Sequence, residues 1–345
     1  MEIGSEFWDV PVQHMATSQS PFPFNTQWYL SGRSALKAII NNLTNVKTVA
    51  MPSWCCDSMI KPFVDAGVEV HFYPVYLSNE GKFNQKIRYD CDVLYLMDYF
   101  GYTVPDNTGK THNNLIVIRD VTHSIFSSQY KDADYYYGSL RKWCGIWTGG
   151  YAWTSDGHKL FQGDPDKSDY TLLRDKAMKL KNAYINEYIV LNGNQKFNKE
   201  EFLGLFSEAE DELENIKVSP AADRDVELAR FLDIDYIKAR RRKNAEILMK
   251  SFCDWLIFPF MNEFECPMFV PVIVPDGRRN ELRNFLIHHQ IYCPVHWPLS
   301  HYHKDLTNEE LFIYENELSL VCDQRYTEED MKRIVDTINA YWEGK

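Results

Sequence analysis

Leu115-Ile-Val-Ile-Arg-Asp120, read together with Ser139-Leu-Arg-Lys142 downstream, decides the fold of this chain. A short, continuous apolar run fits a strand buried on both faces, as in a parallel sheet covered by helices. Asp120 follows the run with only Arg119 between. That places a carboxylate at the C-terminal edge of a strand, where open α/β sheets bind their ligands. Locally, the same residue also fits an Asp that caps the next turn.

The pattern repeats outward from this strand. Val46–Met51, stopped by Pro52, Val68–Val75, Asp92–Met97 and Tyr151–Thr154 after Gly149–Gly150 all read as strands. Between them lie amphipathic runs. Ser34–Leu43 predicts a helix capped by Ser31 or Ser34. Asp57–Ala66 predicts another, ended by Gly67 and kinked or started late by Pro62. Strands alternating with helices make an α/β sheet.

The second half has a different character. Residues 168–191 and 199–215 read as helices, and Arg224 to Phe252 as one long connecting helix. A compact unit follows: strand Met268–Val274, turn Pro275–Gly277, helix Arg279–His289, strand Ile291–Val295 and a last helix from Glu328 to Trp342, with Thr327 and Asp330 as a capping box. The division this implies is residues 1–235 for a large domain and 236–345 for a small C-terminal α+β domain.

Composition excludes several classes of function. A formal net charge of −12 argues against a nucleic-acid binder. The basic run Lys238, Arg240, Arg241, Arg242 and Lys243 reads as the solvated face of a helix. No apolar stretch is long enough for a spanning helix, so no membrane partner is expected. The opening MEIGSEFWDVPVQ has acids where a signal peptide needs a basic region. Eight scattered cysteines without CxxC pairs suit reduced thiols in the cytoplasm, and neither they nor the ten histidines have metal-ligand spacing, so no metal is expected. Aromatic content of 14% suits wide flat pockets or a large subunit interface, without choosing between them.

Three elements carry chemistry. A carboxylate at the Asp120 position can keep the pyridine nitrogen of pyridoxal 5'-phosphate (PLP) protonated, making the ring an electron sink. Lys142, flanked by Tyr135–Tyr137, Trp143 and Trp147 and next to Arg141, is expected to have its amine pushed toward the neutral form that condenses with an aldehyde. Ser139 is placed to donate to a phosphate. In Ser31-Gly-Arg-Ser-Ala35 a glycine before a helix lets backbone N–H groups approach an anion, with Arg33 and Ser34 adding contacts. Each element alone also fits a bland reading, a surface lysine or a well-capped helix. Their combination points to PLP.

The ordered segments GRSAL, PSWCCDSMIKPFVDAG, DYFG, VIRDVTHS, GSLRK and TGGY, then IYCPVHWPLSHYH and LSLVCDQRYTEEDM, resemble the DegT/StrS family of PLP-dependent sugar aminotransferases, from about residue 30 to the end. The resemblance implies PLP-transferase fold type I: a mainly parallel, seven-stranded-type central sheet flanked by helices, plus the smaller C-terminal domain. It implies that Lys142 holds the cofactor as a Schiff base and shuttles the proton, that Asp120 pairs with the pyridine nitrogen, and that His123 reaches the ring hydroxyl. It assigns the phosphate to Ser31, Gly32 and Arg33, with Ser139 a further candidate. Trp54 or Cys56 would lie over the ring, and His296 would approach the substrate. Arg141, Arg278, Arg279 and Arg325 are candidate anion contacts, though each singly also fits solvated charge. Where the family carries SFHxxK, this chain has Tyr137 in place of the serine, which marks a divergent branch. The implied reaction moves an amino group from a donor such as glutamate to a keto-sugar nucleotide or related ketone, in a homodimer. Another PLP reaction (a lyase or desulfurase) and a non-catalytic PLP-binding relative are the rival readings.

Overall fold

The computed structural model describes residues 2–13, 20–104, 115–127, 132–190, 199–215 and 217–344. The chain runs through β1 (Ile3–Gly4), β2 (Gln27–Tyr29), α1 (Gly32–Asn42), β3 (Thr48–Pro52), α2 (Asp57–Asp65), β4 (Glu69–Tyr73), β5 (Val75–Leu77), β6 (Phe83–Gln85), β7 (Val93–Met97), β8 (Ile116–Asp120), β9 (Tyr135–Ser139) and, past a 3-10 turn at Leu140–Lys142, β10 (Gly150–Thr154). Then come α3 (Tyr170–Val190), α4 (Lys199–Glu212), α5 (Asp223–Arg230), α6 (Ile234–Ser251), β11 (Val270–Ile273), α7 (Arg279–His288), β12 (Ile291–Tyr292), α8 (Asn308–Asn316), β13 (Glu317–Leu320) and α9 (Glu328–Glu343).

The fold is α/β, with a seven-stranded sheet in the order β2-β10-β9-β8-β7-β3-β4. β3 pairs in parallel with β4 and β7, and β7 with β8; β2 joins β10 antiparallel. Every residue of β7 and of β10 is buried, which is what a continuous apolar strand between covered faces requires.

Two compact units make up the chain. The first comprises Glu6–Asn42 and Tyr137–Asp233. Its core joins α3 to α4 through Ala177, Met178, Tyr184, Ile185, Phe202 and Phe206. α1 packs on β10 and β2 through the apolar face made by Ala35, Leu36, Ile39 and Ile40. The second comprises Glu2–Ser5, Leu43–Tyr136 and Ile234–Lys345. Here β11 and β13 form an antiparallel pair, and α6 packs on β11 and α9. The capping box of α9 forms as expected: the Thr327 N–H and hydroxyl both donate to Asp330 Oδ2 at 2.9 Å.

The structure corrects four expectations. The helix from Arg224 to Phe252 is two helices, broken at Phe231–Asp233. Leu232 is fully buried and bridges Val12, while the Asp233 N–H donates to Pro11 O at 3.0 Å, so an extended link replaces a helical turn. β12 ends at Tyr292 rather than Val295. α2 starts at Asp57, ahead of Pro62, rather than late at the proline. Arg241 is not a solvated charge: it is buried, and donates to Gln324 Oε1 at 2.7 Å and to the Met268 carbonyl at 2.9 Å.

Candidate active site

In the first unit, α1 begins at the glycine of the GRSAL segment. Ser31 Oγ accepts the Ser34 N–H at 3.2 Å, so Ser31 is the cap. Ser34 is turned to Ser219, whose N–H donates to its Oγ at 2.9 Å. The TGGY glycines make this entry possible. Gly149 has φ +112°, and a Cβ on Gly150 would fall 2.0 Å from the Ser31 carbonyl oxygen. Ser139, the last residue of β9, reaches the same place, since a Cβ on Gly32 would lie 3.3 Å from Ser139 Cβ. The Ser139 hydroxyl is buried and has no hydrogen-bond partner among the described residues. Leaving a buried hydroxyl unsatisfied costs about 1–3 kcal/mol, so its position beside a helix N-terminus calls for a ligand that accepts.

Charge in the same unit favours an anion. Arg141 Nη1 is 2.6 Å from Glu210 Oε1, and Arg174 Nη1 is 3.8 Å from that oxygen. Arg33 Nη1 is 3.9 Å from Glu210 Oε2, and Arg174 Nη2 is 3.5 Å from Glu6 Oε2. Burial works against ionising Glu210, but Arg141, Lys142 and Arg174 outweigh it and hold the carboxyl at about 2. Burial likewise opposes ionisation of Glu6, and Arg174 and Lys142 again prevail, holding it below the usual range. Four cations against two carboxylates leave an excess of positive charge. Lys142 closes the 3-10 turn and is exposed, rather than enclosed by its aromatic neighbours as its sequence context implied; Trp143 next to it is the side chain turned into the core.

In the second unit, Asp120 ends β8 and is buried. Its Oδ2 accepts the Tyr95 hydroxyl at 3.0 Å and its Oδ1 the Thr122 N–H at 2.8 Å. His123 is buried, and its Nδ1 accepts the Phe100 N–H at 3.2 Å. When neutral, that imidazole therefore carries its proton on Nε2. The DYFG turn places this donor. Asp98 takes Arg119 Nη1 at 2.8 Å and the Ser124 hydroxyl at 2.7 Å, and Phe100 and Gly101 both have positive φ.

An aromatic cluster surrounds these groups. Trp54 stacks on Tyr99 with centroids 5.0 Å apart, and His123 stacks on Trp297 at 5.8 Å and meets the His296 ring at 5.9 Å. Trp54 is 1% exposed and its Nε1 donates to the His296 carbonyl at 2.6 Å. Its place is in the core. Cys56, the other candidate for covering a cofactor ring, is partly exposed at the start of α2, with Sγ 3.0 Å from Ser58 Oγ.

Two of the expected substrate contacts part company. His296 joins the aromatic cluster. Arg325 does not: its Nε and Nη2 hold Asp323 at 2.9 and 2.7 Å, and Nη2 also donates to the Ser5 carbonyl. Both prongs of the guanidinium fork on Asp323 make this a structural ion pair. Arg279 is likewise buried, donating to the Glu317 and Tyr314 carbonyls. Sequence reasoning missed Tyr95, Trp297, Arg174 and Glu210. Tyr95 alone had a visible signal, a phenol two residues from the end of the strand ending at Met97.

The fold is that of solved aminotransferases. A DegT DnrJ EryC1 StrS aminotransferase from Brucella abortus matches with a TM-score of 0.60 at 13% identity, over 92% of this chain and 85% of that one. Helicobacter pylori PseC, an aminotransferase involved in the biosynthesis of pseudoaminic acid, matches at 0.63 and 14%, over 99% of this chain and all of that one. Spr1654 from Streptococcus pneumoniae, in its PMP-form, matches at 0.62 and 14%, over 97% and 98%. No protein-family model matches the chain, and no curated protein matches it in sequence.

Proposed function

We propose that this chain is a PLP-dependent aminotransferase that takes an amino group from a donor, glutamate in our reading, and delivers it to a keto-sugar nucleotide or a related ketone. The observation that carries the reading is the Ser139 hydroxyl, buried and without a partner among the described residues, beside the N-terminus of α1 and three residues before Lys142. Such a cradle fits a phosphate monoester. Ser31, Gly32, Arg33 and Ser139 would hold it, and the surrounding excess of arginine charge supports a dianion there. Bound PLP supplies an electron sink for the carbanion formed at the donor's α-carbon.

The residues of the chain do the rest. Lys142 Nζ would hold the cofactor through its aldehyde, and its amine would be the group that carries the donor's α-proton. Asp120, oriented by Tyr95 and Thr122, would keep a proton on the ring nitrogen. His123 would offer its Nε2–H to the ring oxygen, since the Phe100 N–H occupies its other nitrogen. Cys56 is the candidate to cover the ring, and His296 to meet the substrate. Residues 236–345 form the small domain in this reading, and the enzyme works as a cytoplasmic homodimer, to which the eight free thiols are suited.

Absorbance tests it. Purified protein should show the visible band of a lysine-bound cofactor, bleached by glutamate and restored by a keto-sugar nucleotide, and Lys142→Ala should lack the band. A band that no amino donor bleaches identifies a non-catalytic binder. Release of pyruvate or sulfide identifies a lyase.

A further inference from the structure

β13 brings an acid to His296. It reads Glu317-Leu-Ser319-Leu320, so Glu317 and Ser319, two residues apart on a strand, share one face. Both are fully buried. Glu317 Oε2 accepts the His296 main-chain N–H at 2.7 Å, and Glu317 Oε1 lies 2.5 Å from Ser319 Oγ. Ser319 Oγ in turn lies 2.8 Å from His296 Nδ1. Carboxyl, hydroxyl and imidazole thus form one continuous chain.

The chain can run in two directions. A carboxylate only accepts, so with Glu317 ionised Ser319 donates to it, Nδ1–H donates to Ser319, and Nε2 is the bare nitrogen. With the proton on Glu317 Oε1 every bond reverses: the acid donates to Ser319, Ser319 donates to Nδ1, and Nε2 carries the hydrogen. We propose that His296, Ser319 and Glu317 form a proton relay, in which a proton taken up at His296 Nε2 is stored on Glu317 while the imidazole stays neutral. The balance is simple. The incoming proton binds Nε2, the Nδ1 proton passes to Ser319 Oγ, and the Ser319 proton passes to Glu317 Oε1. Release runs backwards. Glu317 is a positioning residue, which fixes whether Nε2 accepts or donates.

The surroundings suit both states. Burial pushes the Glu317 carboxyl up to about 8, against the Ser319 and His296 hydrogen bonds and the charge of Arg279, which favour its ionised form. On α7, Arg279 donates to the Glu317 carbonyl at 3.0 Å, and Arg283 donates to the Cys293 carbonyl at 3.3 Å. The Cys293 thiol, pushed up to about 12 by burial, is neutral. The facing strand, β11, is apolar. His123 is the titratable ring next to His296, and Phe100, Phe269 and Trp297 surround the imidazole with centroids 5.0–5.3 Å away.

The relay belongs to the chain itself; only its use in catalysis rests on the proposed function. Full-length protein labelled with 15N-histidine, without added cofactor, tests it by NMR, with His296 assigned through the signal lost in His296→Gln. His296 should pass from the Nε2–H to the Nδ1–H tautomer as pH rises through about 8. In Glu317→Gln the amide must donate as the acid does, so Nε2–H should persist throughout, and in Ser319→Ala the tautomer should no longer follow pH. A single tautomer across the range in the unmodified protein would overturn the relay, as would a pH-linked change that survives Glu317→Gln. The unmodified protein decides the question even where a variant fails to fold. A fixed tautomer in protein that still forms the Lys142-dependent band sinks the relay alone. An intact relay without the band sinks the aminotransferase reading alone.

Discussion

The cluster around Ser139 and the cluster around Trp54 differ in how much bonding capacity they leave open. Among the described residues, the polar groups around Ser139 outnumber their partners: the hydroxyl has none, and Arg174, fully buried, leaves Nε and Nη1 without hydrogen bonds. Around Trp54 the donors are matched. The indole N–H, the Tyr99 hydroxyl and the Phe100 N–H each meet an acceptor at 2.6, 2.7 and 3.2 Å. In the proposed function the first would receive an anion. The second is an aromatic wall whose Phe100 N–H and Trp297 ring hold His123 in place. Preorganised groups of that kind stabilise developing charge without reorganising at the moment of reaction.

The contrast can be broken in four places. If Trp54 is wall, truncating it damages the protein before the chemistry. Trp54→Ala should lose about 3–5 kcal/mol of stability in denaturant titration, whereas Trp54→Phe should keep the visible band; loss of the band in a well-folded Trp54→Phe would move Trp54 to the cofactor. Asp120→Ala should leave binding measurable but lower kcat by about 10²–10³-fold, the usual scale for removing one preorganised electrostatic group. Equal activity would remove Asp120 from the ring nitrogen. Ser139→Ala deletes a charge-assisted hydrogen bond of about 1.5–3 kcal/mol, so inorganic phosphate and PLP should both bind roughly 10–100-fold more weakly by calorimetry. Unchanged phosphate affinity would show that the buried hydroxyl is not part of an anion site.

The smallest effect concerns Glu317. Its carboxyl is raised in the folded state to about 8, so the folded protein holds its proton more tightly than the unfolded chain does. Stability from this group is complete below the ordinary carboxylate range and is lost as pH rises through about 8. Glu317→Gln lacks that loss. Relative to the unmodified protein, its thermal midpoint should therefore gain several °C between acidic and alkaline buffer. A difference independent of pH would contradict the raised carboxyl.

Much of this was legible in the sequence, and the rest was hidden for physical reasons. Strands buried on both faces announce themselves as apolar runs, which is why Asp120 could be placed at the end of its strand. The cap of α1 and the capping box of α9 were readable because they are local. The break at Leu232 was not, since an apolar residue suits a helix face and a bridge to Val12 equally well. Arg241 and Arg325 looked solvated because their acceptors, Gln324 and the Met268 carbonyl for one, Asp323 for the other, are chosen by packing. Ser319 was read only as part of a C-terminal resemblance, and Glu317, one residue before that segment, was not singled out. Their alternation with Leu318 and Leu320 was the available sign of a polar face on a buried strand.

The central claim is covalent, and reduction tests it most directly. Protein saturated with PLP, treated with borohydride and digested, should carry the cofactor's mass on the peptide containing Lys142 in about one copy per chain. The adduct on another lysine, or no adduct on a protein that still binds PLP, would contradict the account.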